Sequence, residues 1–336
     1  EGLNTQYTSI YTKIGLDEIL ATAVLSTALV SKGVRAYVEF VPPTIKSPIK
    51  IIKSYAVGVA PSQNVSIYSS IGFLLIPEKR LGVVTKYDDT GKSEILMSLS
   101  ETHTLTQVAL EYVQTLNALI DPPEQLIKDI TYIATGKPAE ASKVGKALAK
   151  AIRIDYSSSE FLSSLYAYFL QVLRTKSYKL SPEIEERAAK YDEALRLVDE
   201  LLKSDNLLSY GPLRVAVISR SFEKPLIRDN YKLLKPLVND VLIKLCKEDG
   251  IGMVVLETDL GHTLKICLGS RKISFVNIIS SLPKELSSEL NVTLKGNHVL
   301  IKFKDPSKSS LDAVLSIAES VATGLTPLLT SSLKTQ

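Results

Sequence analysis

Acidic residues in the first hundred positions of this chain are of the type that holds divalent metal ions. Asp17 and Glu18 follow Gly15 and open an apolar helix, and Asp88 and Asp89 close a β-rich run. Carboxylates at the strand ends of an α/β sheet can hold paired divalent ions about 4 Å apart, which activate water and stabilise the leaving oxygen of a phosphate ester. That chemistry asks for several acids, usually with histidine. Residues 1–100 contain Glu1, Asp17, Glu18, Glu39, Glu78, Asp88, Asp89 and Glu94, and no histidine. The β-like run 55–60 ends in Ala60-Pro61-Ser62, without a carboxylate. Asp17, Asp88 and Asp89 remain, fewer oxygen donors than Mg²⁺ or Mn²⁺ prefer. Asp88-Asp89-Thr90-Gly91 also reads simply as a polar turn. The expectation from these donors is no metal, no cofactor and no catalytic residue.

Other chemistries find less support. His103, His262 and His298 are scattered, and no spaced metal pair occurs. There is no phosphate-binding P-loop, no dinucleotide glycine motif and no nucleophile elbow. Cys246 and Cys267 are too few for a disulfide framework or a cysteine metal site.

The elements that must position these residues fall into three parts. Residues 14–110 alternate strand and helix: an apolar helix near 16–32, then β-like runs at 35–41, 55–60, 72–76 and 82–86. Such alternation predicts a mostly parallel sheet with helices on both faces. Residues 105–204 read as helical. The clearest helix starts at Ser181-Pro182, a cap followed by proline at the first helical position. Ile184, Ala188, Tyr191, Leu195, Val198 and Leu202 then form one apolar stripe. Strand periodicity restarts at Leu213, after a turn-rich stretch at 206–212. The predicted organisation is an α/β domain over 1–120, a helical connecting region over 121–205 and an α+β domain over 213–330.

Length and composition agree with this plan. The chain has 336 residues, 45% hydrophobic and 23% charged, which suits two ordinary globular domains. Its net charge of +4 permits nucleic-acid contact without requiring it. Lys, Ser or Pro interrupts the apolar stretches short of a membrane span, and no charged-then-apolar leader opens the sequence. A cytoplasmic, nucleoid-associated protein without membrane contact is expected.

The order of these motifs resembles the DHH phosphoesterases. Gly15-Leu16-Asp17-Glu18 before an apolar helix is similar to their Asp-x-Asp-Gly cluster, with Gly15 at the first acidic position and Glu18 in place of the glycine. The run 55–60 resembles the strand that ends in a ligand aspartate, here Ala60. Residues 83–89 resemble the strand leading to Asp-His-His, with both histidines gone. Leu268-Gly269-Ser270-Arg271 is similar to the Ser-x-Arg-Ser strand of the DHH-associated domain, and Lys295-Gly296-Asn297-His298 to its Gly-Gly-Gly-His loop.

The resemblance implies a DHH-like sheet domain and a C-terminal DHH-associated domain, with a vestigial cleft of Gly15, Asp17, Ala60, Asp88 and Asp89 in the first. Its branch looks like the RecJ-like, cell-division-cycle-45 type of archaeal replication protein, which keeps the scaffold and discards the catalysis. Implied partners are the GINS complex, the MCM helicase and single-stranded or forked DNA. Ser270, Arg271, Lys272, Lys295, Asn297 and His298 are the candidate nucleic-acid contacts. Lys265, Lys302 and Lys304 extend a basic face, although alternate lysines also protect an edge strand from pairing. The competing expectation is a metal-dependent single-strand exonuclease or small-nucleotide phosphoesterase with an atypical site around Asp17, Asp88 and Asp89.

Overall fold

The computed structural model describes residues 6–330 apart from Arg271, and it divides into two units, 1–188 and 189–336. In the first unit β1 (Gln6–Lys13), α1 (Leu16–Ser31) and β2 (Val34–Val41) form a parallel crossover. The remaining strands are β3 (Ile49–Ile52), β4 (Tyr55–Val57), β5 (Val65–Tyr68), β6 (Ser70–Ile76), β7 (Leu81–Tyr87) and β8 (Ser93–Ser100). The main sheet runs β2-β1-β4-β6-β7-β8; its first four strands are parallel and its last two antiparallel. Helices α2 (Leu105–Gln114), α3 (Glu124–Ala134), α4 (Lys143–Ile154) and α5 (Ser159–Thr175) follow, and α6 (Pro182–Leu201) crosses the division between units.

The mixed α/β class expected from the sequence is present, with a different division of the sheet faces. Strand alternation sends Ile10, Val57, Phe73 and Val84 into a core with α1, α2 and α5. The opposite face sends Ala56 and Tyr87 against Ile51, Val65 and Ile67, which come from the small parallel pair β3–β5. Helices therefore cover one face of this sheet and a two-stranded ribbon covers the other. Helical spacing predicts Phe161, Leu165, Tyr166 and Phe169 of α5 as core residues; Phe161, Leu165 and Phe169 are buried in the main core and Tyr166 packs half-buried against it. Of residues 121–205, those up to Ala188 cluster with the first unit and the rest with the second.

The second unit contains β9 (Leu208–Tyr210), β10 (Leu213–Ile218), α7 (Pro225–Asp229), α8 (Tyr231–Leu234), α9 (Val238–Asp249), β11 (Ile251–Thr258) and β12 (Gly261–Leu268). It continues with α10 (Phe275–Ser281), β13 (Leu290–Lys295), β14 (His298–Phe303) and α11 (Leu311–Thr330). The sheet order is β13-β14-β12-β11-β10-β9, with β10 and β11 parallel and the other pairs antiparallel. Residues 225–249 form three helices, interrupted around Asn230 and Pro236, and α10 stops at Ser281, ahead of Pro283. α11 is long and apolar enough to cross a membrane by length and composition alone, a test that the core helix of a soluble protein also passes. Its Val314, Ile317, Ala318, Val321, Ala322 and Leu325 form a buried stripe, and the helix packs on β9–β12.

Candidate functional site

The cleft expected from the sequence lies at the carboxyl ends of β1 and β4, which finish side by side with Thr12 opposite Val57. The chain leaves β1 through Gly15, in extended backbone, and enters α1 with Asp17 and Glu18 in its first turn. It leaves β4 through Gly58, whose φ of 72° is left-handed. A Cβ on Gly58 would stand 3.1 Å from Glu18 Cγ, 3.2 Å from a Leu105 methyl and 3.3 Å from Lys13 Cβ. Glu18 therefore lies between the two glycines. A Cβ on Gly15 would overlap Glu18 Oε2, so this carboxylate fills the space that a side chain at position 15 would use. Burial raises the Glu18 carboxyl above its ordinary pKa, the charge of Asp17 adds to the shift, and Lys13 opposes it.

Asp17 is committed to α2. Leu105 N–H donates to Asp17 Oδ2 at 2.7 Å, and Thr106 N–H donates to Oδ1 at 2.9 Å. The Thr106 hydroxyl donates to Oδ1 at 2.8 Å. These are amide donors that the first turn of a helix leaves without intrahelical partners, and a carboxylate there is favoured by the helix dipole. Burial pushes the Asp17 carboxyl up, against the hydrogen bonds from Leu105 and Thr106. Thr104 and Gln107 complete the same helix start with a capping box.

Ala60 is exposed in the loop after β4, close in sequence to Gly58. Asp88 and Asp89 lie elsewhere, which overturns the expected gathering. Because β7 is antiparallel to β6, with Tyr87 opposite Ser70, Asp88 emerges where β4 and β6 begin. That is the opposite end of the sheet from Gly15. Asp88 Oδ1 accepts from Thr90 N–H at 2.9 Å, from the Thr90 hydroxyl at 2.7 Å and from Lys92 N–H at 2.9 Å. These bonds hold its carboxyl below the ordinary value and make the tetrapeptide the polar turn its sequence suggests.

These residues do not fit a two-metal centre. Among the described residues no group of three or more His, Cys, Asp or Glu is placed to hold a metal ion. Glu18 is the carboxylate left in the cleft, while both oxygens of Asp17 already accept hydrogen bonds from α2.

In the second unit the nucleic-acid candidates come together at one sheet end. Lys295 and His298 face each other across a hairpin that turns at Gly296, φ 62°. Asn297 ties this hairpin to the end of β12: Leu268 N–H donates to the Asn297 carbonyl at 2.8 Å, and Asn297 Nδ2 donates to the Leu268 carbonyl at 3.4 Å. Ser270 and Lys272 follow β12, where Lys272 N–H donates to Ser270 Oγ at 3.2 Å. Arg271 lies outside the described residues. β14 is flanked by β13 and β12, so Lys302 and Lys304 do not guard an edge.

The sequence reading missed a buried polar cluster at the other end of that sheet. His262 Nδ1 lies 3.1 Å from the Ser309 carbonyl and its Nε2 2.7 Å from Ser219 Oγ, which donates to Glu257 Oε1 at 3.4 Å. Glu257 Oε2 accepts from Arg220 Nε at 2.6 Å. Ser219 is fully buried, and the cluster acts as a tie between β10, β11 and β12. Its members come from separate strands, so no local motif announces it.

No family model matches the chain, and no curated protein matches it. Among solved structures it is similar to RecJ in complex with Mg²⁺ from Thermus thermophilus, at 14% identity and a TM-score of 0.45 over 98% of this chain. The chain spans about half, 54%, of the length of that RecJ chain. It is also similar to exonuclease RecJ bound to manganese, at 12% identity and a TM-score of 0.48, covering 95% of this chain and 90% of that one. A further similarity is to CDC45 from Entamoeba histolytica, at 8% identity and a TM-score of 0.45, covering 96% of this chain and 95% of that one. In each case the likeness is one of fold.

Proposed function

We propose that this chain is a non-catalytic, DHH-like replication factor that binds the GINS complex, supports the MCM helicase at the fork and touches single-stranded DNA. The observation that supports this reading most is the commitment of Asp17 to α2. The acid that matches a metal-binding motif in sequence serves as a helix cap, with both oxygens accepting backbone hydrogen bonds. Gly15 and Ala60 supply no side-chain donor, and Asp88 stands at the far end of the sheet. A scaffold of this kind keeps its sheet and helices while its former ligands take structural roles. The partner assignment is what the resemblance to the cell-division-cycle-45 type implies.

The test is affinity purification of the tagged chain from extract of its source organism, with the bound proteins identified by mass spectrometry. GINS subunits are expected in stoichiometric amounts, and retention should survive Glu18→Gln. Loss of GINS from the wild-type eluate would overturn the partner assignment.

Glu18 favours a second reading, a metal-dependent exonuclease or phosphoesterase with an atypical site, because its carboxylate stands in the cleft beside Gly15. That reading requires metal-dependent turnover that Glu18→Gln abolishes.

A further inference from the structure

One face of the second unit's sheet is covered only in part. Gly252 of β11 lies so close beneath α9 that a Cβ there would overlap the Leu242 carbonyl oxygen. α9 thus covers β10, β11 and the near margin of β12. Side chains alternate along a strand, and cross-strand partners share a face. The α9 face therefore continues through Thr263 and Lys265 of β12 to their register partners Lys302 and Leu300 of β14. Beyond them it reaches Asn291 and Thr293 of β13. Lys302, Asn291 and Thr293 are exposed, whereas Val299, Ile301 and Phe303 on the opposite face are buried.

Two residues on this face are costly to keep unless something binds them. Lys265 is half-buried on an interior strand, with no hydrogen bond or ion pair among the described residues, and burial alone pushes its ammonium below the ordinary lysine value. Thr263, 9% exposed, holds a buried hydroxyl without a partner among the described residues. Lys302 stands directly across from Thr263. The strand positions named on this face carry no carboxylate, so the Lys265 and Lys302 charges have no counter-charge among them.

We propose that this uncovered half-sheet docks the phosphate backbone of a single-stranded nucleic acid, through Thr263, Lys265 and Lys302, with His298 and Lys295 at its end. Lysine is a compact charge suited to phosphate oxygens, and the threonine hydroxyl supplies a short-range donor. Three strands form a strip about 10 Å across, which suits one strand of nucleic acid. Apart from His298 at its end, no aromatic side chain stands on the strand positions named on the strip, so the contact is to backbone and independent of base sequence. An acidic peptide is disfavoured because, among the described residues, the face offers neither an arginine fork nor an apolar recess for peptide side chains. The proposal rests on the DNA contact of the reading above and not on its GINS contact.

The test is fluorescence anisotropy of a labelled oligothymidylate with the purified full chain across a salt series. Lys265→Met and Lys302→Gln should each flatten the slope of log K against log salt by about 0.7, one released counterion per lost cation on a single strand. Lys265→Met should at the same time raise the melting temperature, because it removes an unpaired half-buried charge. A lysine with a purely structural role would not lose binding while gaining stability. Thr263→Val should weaken binding, and Lys128→Gln in the first unit should leave the slope unchanged. Lys302 is exposed, so Lys302→Gln carries the test if Lys265→Met does not fold. An unchanged slope in the lysine variants that fold would overturn the proposal. A slope lost only on substituting Lys272 or Lys295 would also overturn it, while leaving the broader DNA contact standing. Displacement by polyglutamate as effective as by unlabelled oligothymidylate would assign the face to an acidic protein segment instead.

Discussion

Asp17 and Thr106, 89 positions apart in the chain, are joined by paired hydrogen bonds: Asp17 Oδ1 accepts the Thr106 amide at 2.9 Å and the Thr106 hydroxyl at 2.8 Å. With the Leu105 amide on Oδ2, this bond set fastens the start of α1 to the start of α2. A residue whose sequence context suggests metal binding is, in the fold, a helix-capping residue.

Asp17→Ala should therefore act on stability. It leaves two buried amides and a hydroxyl without their acceptor, at a cost of about 2–3 kcal/mol. Asp17→Asn should also destabilise, because its NH₂ group faces a donor in place of one carboxylate oxygen. Urea denaturation of the three proteins checks this. A loss confined to metal affinity, with the denaturation midpoint unchanged, would return Asp17 to the metal-ligand role.

Much of the scaffold was legible because its signals are local. Ser181-Pro182 opens α6, where Ile184 N–H donates to Ser181 Oγ at 3.3 Å. The role of Asp17 was hidden because its partners lie far along the chain. β1 was missed: Tyr7, Thr8, Ser9 and Thr12 mute its hydrophobic alternation, yet it is an interior strand and delivers Gly15 to the cleft. The reversal of β7 was equally invisible. The turn Pro77–Lys79 joins β6 directly to β7 as a hairpin, and that reversal moves Asp88 to the wrong end of the sheet for the expected cleft.

The Asp129 cluster gives a pH prediction. The carboxylate is buried and accepts from Gln125 Nε2 at 2.9 Å, Ser142 N–H at 2.8 Å and the Tyr178 hydroxyl at 2.6 Å, as well as from the Ser142 hydroxyl. Burial alone would raise its pKa, but these bonds prevail and hold it below the ordinary value. A lowered folded-state pKa means that the unfolded chain takes up the proton first. The stabilisation is thus complete above the unfolded value of about 3.9 and is lost as pH falls through the folded one. Thermal melts between pH 6 and 2 should show this acid decline, and Asp129→Asn should flatten it while costing about 3 kcal/mol near neutrality. An equal acid slope in both proteins would contradict the assignment.

The paired thiols of the second unit should be inert. Burial, with a hydrogen bond to Cys246, pushes the Cys267 thiol up to about 12, and both cysteines are buried. Because the thiolate is the reactive form, iodoacetamide at pH 8 should label neither residue in the folded protein and both after denaturation. Rapid labelling of the native chain would show that α9 opens from β12.

Rebuilding the motif tests whether the cleft lacks one acid or its whole ligand geometry. The double variant Gly15→Asp with Glu18→Gly creates Asp-x-Asp-Gly and clears the carboxylate that would overlap a side chain at position 15. Calorimetry with Mn²⁺ should still show no binding tighter than about millimolar, because Asp17 remains bonded to α2. Micromolar binding would show that Asp17 leaves its helix when a partner acid is present.

The most direct test of a non-catalytic cleft is incubation of the purified wild-type chain with end-labelled single-stranded DNA in Mn²⁺, with released nucleotides counted against a no-protein control. The two should be indistinguishable. Mn²⁺-dependent release that disappears in Glu18→Gln would contradict the account and identify Glu18 as a ligand of a working metal centre.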